Sequence, residues 1–419
     1  MVSVKEQVIA DSLCYWNTGK TQEWQDLGIN FVMGKREGYY FWDMDGKRLM
    51  DVHINGGTFS LGHRNPEIME TLVKGLENYD IGNHHFPSPH KAALAKELIK
   101  VSPAGMTHAI FGAAGAEAVD LALKSARCAT SRKKIISVEN CYHGHTGLAV
   151  SAGAERFARP FLLEKDADEN AKVPFNDLDA MEKEFSKGDA ACVIMETIPA
   201  TYGFPLPAAG YLSAVKKLCE KYGALYIADE IQTGLLRSGR MWCISTYDVA
   251  PDMIVTSKGF SGGIYPISAV VMNDQAAKWI HLDGSAHMST YGGTELGCIV
   301  AHKVLEILQR QETVANVAFV AQYLRAGLEK IKAENQDTFL DIRQNGLIMG
   351  LVFAGAKGAL PVMQRLYNEH GVWAIYSMLN NSVLQFKPGV LCTKEYCDEL
   401  LERLSAGIKT SRADILSQA

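Results

Sequence analysis

Residues 252–270 read DMIVTSKGFSGGIYPISAV, and Lys258 is the residue in them that a surface reading does not explain. It stands just after the apolar run Met253–Val255 and before a glycine-rich turn, and the chain then enters a second apolar run, 267–272. Working outward, short apolar runs recur at 108–111, 135–138, 192–195 and 224–228, separated by amphipathic stretches such as 116–129 and 211–222. Strands alternating with helices predict an α/β fold, a mostly parallel sheet covered on both faces. The two ends differ from this middle. Asp45-Gly46 and Asn345-Gly346 each sit between apolar runs, which is the sequence signal of a hairpin. Helical patterns span 297–333 and 393–417. The expected organisation is a large domain over 63–305 and a small α+β domain assembled from 1–62 and 306–419.

The totals exclude several classes of function. The chain has 419 residues, 47% hydrophobic and 21% charged, with a formal charge of −5, so it has no general attraction for nucleic acid or anionic lipid. Arg132-Lys133-Lys134 is too short for a basic arm. Nine cysteines are scattered without a C-x-x-C pair, as in a reduced, cytoplasmic protein. The N-terminal MVSVKEQVIADSLCYW is no secretory signal, and no window reaches the ~20 apolar residues of a membrane span. His84-His85 has no third ligand at fixed spacing and reads as a loop, so no metal site is expected.

Parallel sheets place ligands beyond the carboxyl ends of their strands, and two residues stand there. Asp229 directly follows 224–228, and Lys258 follows 253–255. A lysine in such a crevice loses solvation and can become a nucleophile toward carbonyls, whereas an isolated Asp–Lys pair is better explained as a structural salt bridge. Two features favour chemistry. The segment Phe111-Gly112-Ala113-Ala114-Gly115-Ala116 joins strand to helix through small residues, leaving backbone N–H groups open to a phosphate. Tyr142, after the next strand, offers an aromatic face. A lysine, a carboxylate, a phosphate cup and a stacking ring are together what pyridoxal phosphate requires.

The stretches FWDMDGKRLMDV, LGHRNP, AGAEAVDLALKSAR, CYHGH, ALYIADEIQTGLLRSG, PDMIVTSKGFSGGIYPISAV, STYGGTELGC and IRQNGLIMG resemble, in order and over nearly the whole chain, the class III aminotransferases. These are fold-type-I pyridoxal-phosphate enzymes that include ornithine and 4-aminobutyrate aminotransferases and glutamate-1-semialdehyde aminomutase. The resemblance implies that Lys258 is the Schiff-base lysine and proton shuttle. It implies that Asp229 pairs with the pyridine nitrogen, that Gln232 reaches the ring hydroxyl and that Tyr142 stacks on the ring. Gly115 and Ala116 would give backbone N–H groups to the phosphate, and Thr290 would reach it from the partner subunit of a homodimer.

Departures from the family pattern bear on the substrate. The phosphate loop has Ala113, Ala114 and Ala116 where hydroxyl residues are usual. His145 stands where α-amino-acid enzymes commonly have arginine, giving YHGH as in the aminomutase branch; Gln385 replaces the carboxylate-binding arginine, and Thr201 replaces its gating glutamate. Bidentate recognition of a carboxylate thus lacks both usual donors, with Lys387 or Arg156 as possible substitutes. Tyr15, Trp16 and Tyr202 are further pocket candidates, with the loop 56–59 approaching the ring. The expected activity is transfer of an amino group from an amine or ω-amino compound to a keto acid or aldehyde in two half-reactions. An aminomutase, racemase or phospholyase on the same scaffold is the alternative.

Overall fold

The computed structural model describes residues 2–163 and 168–417. Its central sheet has seven strands, in spatial order Met106–Gly112, Ser268–Asn273, Met253–Thr256, Leu225–Asp229, Ala190–Glu196, Lys134–Val138 and Asn170–Val173. The last five run parallel. Ser268–Asn273 alone runs against both of its neighbours. Every apolar run singled out in the middle of the sequence lies in this sheet. Continuous burial is the reason they read as unbroken apolar runs: all seven residues of Ala190–Glu196 are buried, as are all five of Leu225–Asp229. Helix Gly115–Thr130 covers one face with Ala118, Val119, Ala122 and Ala126, a stripe at helical spacing. Asn170–Val173, sequence NAKV, carries no such pattern and becomes a strand through its parallel pairing with Lys134–Val138.

Both glycine turns form hairpins. Asp45-Gly46 joins the antiparallel strands Tyr40–Asp43 and Arg48–Asp51, and Asn345-Gly346 joins Phe339–Asn345 to Ile348–Phe353. Gly346 has φ +62 and packs so closely that a Cβ would stand 2.6 Å from the Arg237 carbonyl oxygen, so glycine is required there. The two ends of the chain are joined physically. Strand Val372–Trp373 pairs in parallel with Arg48–Asp51, in a four-stranded sheet separate from the one that contains Ile348–Phe353 and Asn380–Phe386.

The predicted helical stretch 297–333 is two helices, Glu295–Gln309 and Gln311–Glu334, because Arg310 is extended, with ψ 136°. Arg310 is held there by a bidentate pair with Glu67, at 2.8 and 2.6 Å, on helix Pro66–Leu76. The N-terminal segment forms helices Val4–Asp11 and Thr18–Asp26 around a π-turn at Ser12–Trp16. Among the described residues no helix is long and apolar enough to cross a membrane.

Candidate active site

Strands Leu225–Asp229 and Met253–Thr256 are parallel neighbours, so their carboxyl ends open on the same side of the sheet. Asp229 ends the first and Lys258 follows the second by two residues. Gly115, Ala116, Tyr142, Asp229, Gln232 and Lys258 line one cavity of about 310 Å³, and His145 lines it too. Seven residues scattered over more than 140 positions thus meet in one place.

Lys258 is held in a strained backbone, φ +46, where non-glycine residues are uncommon. Burial pushes its pKa below the ordinary lysine value, against the opposing pull of Asp229 and Glu196. The amine forms no ion pair among the described residues. A desolvated amine of this kind spends more time as the neutral nucleophile.

Asp229 is 3% exposed. Its Oδ1 accepts the Ile231 N–H at 3.1 Å, and its Oδ2 lies 2.7 Å from His143 Nδ1. Burial opposes a charge on His143, but contacts with Cys141 and Asp229 together outweigh it and hold the imidazole pKa well above its usual range. A protonated imidazole donates from Nδ1, which fixes the direction of the Asp229 carboxyl group. Beside it, Glu196 accepts the Tyr142 backbone N–H at 2.9 Å; burial pushes this carboxyl up to about 7. That bond sets the backbone carrying Tyr142, whose ring meets His145 and Phe157 edge-on at 5.2 and 5.6 Å.

Helix Gly115–Thr130 points its N-terminus at the same cavity. Ala114 caps it without any side-chain bond, and Glu117 Oε2 instead braces the loop by accepting the Ala113 N–H at 2.7 Å. The N–H groups of Gly115 and Ala116 therefore face the cavity without a capping oxygen, as an anion site requires. Opposite them, Gly144 has φ +117, and a Cβ there would stand 2.4 Å from the Ala116 Cβ. Gly56 is as tightly placed: a Cβ would lie 2.7 Å from Lys258 Cε and 3.3 Å from Gln232 Oε1.

The remaining candidates lie elsewhere. Tyr15 and Trp16 are 88% and 73% exposed on the π-turn, and Trp16 lines a second cavity of about 620 Å³ that also reaches His53 and Asn55. Tyr202 sits in the turn after Ala190–Glu196 and does not line the Lys258 cavity. Gln385 is buried and turned onto Lys387, its Oε1 accepting from Nζ at 2.5 Å. Arg156 is exposed and donates to the Met378 carbonyl at 3.3 Å. Thr290 is exposed, in a segment that borders a different recess of its own chain.

A family model for class III aminotransferases matches residues 22–408. The chain is a class III aminotransferase. An uncharacterized aminotransferase of Archaeoglobus fulgidus is 44% identical over 91% of this chain and 89% of its own. The LysW-aminoadipate semialdehyde/glutamate semialdehyde transaminase of Sulfolobus acidocaldarius is 32% identical over 92% and 96%. Among solved structures, N-acetylornithine aminotransferase from Stenotrophomonas maltophilia superposes with a TM-score of 0.80 at 26% identity, covering 97% of this chain and all of that one. The chain accordingly has the fold-type-I architecture and depends on pyridoxal phosphate.

The residues present in this aminotransferase fit that cofactor on the structure's own terms. The uncapped helix end suits a phosphate, the fixed carboxylate suits a ring nitrogen, and the desolvated amine suits an aldehyde. Three groups at or behind the site escaped the sequence reading: His143, Glu196 and the full burial of Lys387. His143 adjoins Tyr142 and Glu196 ends a strand, so position was a usable signal for both. Nothing in the sequence marks the contact of Lys387.

Proposed function

We propose that the chain transfers the amino group of an ω-amino compound to a carbonyl acceptor, with Lys258 as the residue that holds the cofactor and moves the proton. The desolvated amine of Lys258, which shares one cavity with Asp229 and forms no ion pair among the described residues, is the observation that carries this reading. Pyridoxal phosphate, when bound, supplies an electron sink for the carbon that carries the amino group. The chain's own residues do the rest. Asp229, held by His143, would present a carboxyl oxygen to the ring nitrogen, and Tyr142 would stack on the ring. The N–H groups of Gly115 and Ala116 hold the phosphate, and Gln232 donates to the ring oxygen. Lys258 Nζ removes the proton from the substrate carbon and returns it to the product side.

An ω-amino donor is supported by the Sulfolobus relative, whose name describes a semialdehyde transaminase, and by the structural likeness to N-acetylornithine aminotransferase. It is supported too by Gln385, which takes the place of a carboxylate-binding arginine and faces Lys387. The working unit in this proposal is a homodimer in which the partner's Thr290 completes the phosphate site; its exposure away from its own cavity fits that role. The division into a large domain, 63–305, and a small one from both ends is supported by the separation of the seven-stranded sheet from the two four-stranded sheets. A cytoplasmic location agrees with nine unpaired cysteines.

The test is the absorbance of cofactor-loaded protein while amine donors are added without acceptor: ω-amino acids, carboxyl-free amines, α-amino acids and phosphorylated amines. Loss of the yellow band with release of a carbonyl product, strongest with an ω-amino donor, is expected. A yellow form that persists while substrate is consumed would overturn transamination in favour of an isomerase or lyase.

A further inference from the structure

Lys387 has no obvious reason to be where it is. It is 1% exposed, follows strand Asn380–Phe386, and its backbone N–H is bonded to the Val52 carbonyl at 2.9 Å. Among the described residues no carboxylate pairs with its amine. Burial pushes its pKa well below the ordinary value, Lys258 and Arg237 push the same way, and Asp51 and Glu196 oppose them. A buried amine without a counter-ion is costly to keep.

Its Nζ lies 5.8 Å from the centre of the Phe204 ring, and its two hydrogen-bond acceptors among the described residues are both amide oxygens. Nζ donates to Gln385 Oε1 at 2.5 Å and to Gln232 Oε1 at 3.2 Å. Protonated or neutral, the amine has enough N–H bonds to serve both. Each carboxamide held by its oxygen must present its NH₂ at the other end. For Gln232 that end belongs to a residue lining the Lys258 cavity, and no hydrogen bond within the described residues takes up its Nε2.

We propose that Lys387 is a positioning residue: by holding Gln232 Oε1 it turns the Gln232 NH₂ toward the cavity, making Gln232 a hydrogen-bond donor to the ring oxygen of the bound cofactor. Gln385 is then the second anchor of Lys387, which accounts for a glutamine at this position. Lys387 touches neither substrate nor cofactor. The inference rests on the role proposed for Gln232.

The experiment uses the cofactor-loaded enzyme and reads the pH midpoint of its visible absorbance together with the rate of cofactor loss on dialysis. In Lys387→Met the amide is free to turn its oxygen inward. The midpoint should rise by about one pH unit, since losing a donor disfavours the deprotonated ring oxygen. Cofactor loss should quicken about tenfold, as expected for one lost hydrogen bond to a charged group. Gln232→Leu should show the same shift, and adding Lys387→Met to it should move the midpoint no further. An unmoved midpoint in Lys387→Met overturns the proposal. A further shift in the double variant overturns it as well, because Lys387 would then act directly on Lys258, Asp229 or His53 through its charge. Should methionine prevent folding, Lys387→Gln keeps a polar partner in place without dictating which end of Gln232 it holds, and an unshifted midpoint there is equally fatal. A parent enzyme that shows no visible band at all would overturn the functional reading and this inference with it. A normal parental band with no response to Lys387→Met would overturn this inference alone.

Discussion

Replacing Glu230 by glutamine probes the machinery behind Asp229 without touching the cavity. Glu230 is fully buried, and its carboxyl takes four donors. Oε1 accepts from the Thr197 hydroxyl and from the Ile244 N–H at 2.8 Å; Oε2 accepts from the Thr233 hydroxyl at 3.0 Å and the Cys243 N–H at 2.8 Å. Each oxygen therefore faces one hydroxyl, which can reverse its role, and one backbone N–H, which cannot. A carboxyl accepts both N–H groups whether ionised or protonated, while an amide nitrogen accepts neither. In whichever orientation glutamine settles, one buried N–H loses its acceptor and meets another donor. An orphaned buried donor costs roughly 1–3 kcal/mol and the lost bond about 1 kcal/mol more, so Glu230→Gln should destabilise the fold by about 2–4 kcal/mol. Burial pushes Glu230 up to about 7 from 4.5, against the four donated bonds. A carboxyl whose pKa is raised on folding contributes stability that is full below about 4.5 and is lost as pH rises through 7. Glutamine does not titrate, so its penalty should be greatest near pH 5 and shrink toward pH 8. Urea unfolding of both proteins at the two pH values measures this. Equal midpoints at pH 5, or a penalty that grows with pH, would refute the geometry or the sign of the shift.

Gly144→Ala should empty the site: a Cβ at φ +117 is strained, and it would press on Ala116 Cα at 2.9 Å, displacing the helix end proposed to hold the phosphate. Cofactor affinity should fall at least tenfold, read by absorbance titration, with urea stability lowered by about 1–3 kcal/mol. Thr290→Ala should speed cofactor loss on dialysis several-fold while leaving the spectrum of freshly loaded protein unchanged, and equal retention would remove Thr290 from the phosphate site. Lys258→Ala should abolish turnover and the yellow band together, and turnover near the parental rate would defeat the whole assignment.

What could be seen in advance follows from how each residue is placed. Asp229 and Lys258 were legible because each follows an apolar run that only a buried parallel strand explains, and the ends of neighbouring parallel strands converge. Tyr142 and Gly115 were legible for the same reason, since each lies within four residues of the end of a strand, Val138 and Gly112 respectively. The contacts of the residues behind them were not. His143 meets Asp229 across 86 positions, and Lys387 meets Gln232 across 155. No periodicity encodes either contact. Arg310 shows the limit from the other side: a good helix former stands extended between two helices, its guanidinium paired with Glu67, 243 residues away. Local pattern places the ends of strands, and those ends carry the groups that would touch the cofactor. The groups that fix their direction come from distant elements and become visible only when the chain is folded. Lys387 follows the last strand of a terminal sheet, yet it holds a glutamine in the turn just past Leu225–Asp229 of the central one, with its backbone bonded to Val52 near the other end of the chain. Closing the two ends of the chain over the central sheet is therefore what delivers Lys387, and the donor that Gln232 presents depends on that closure.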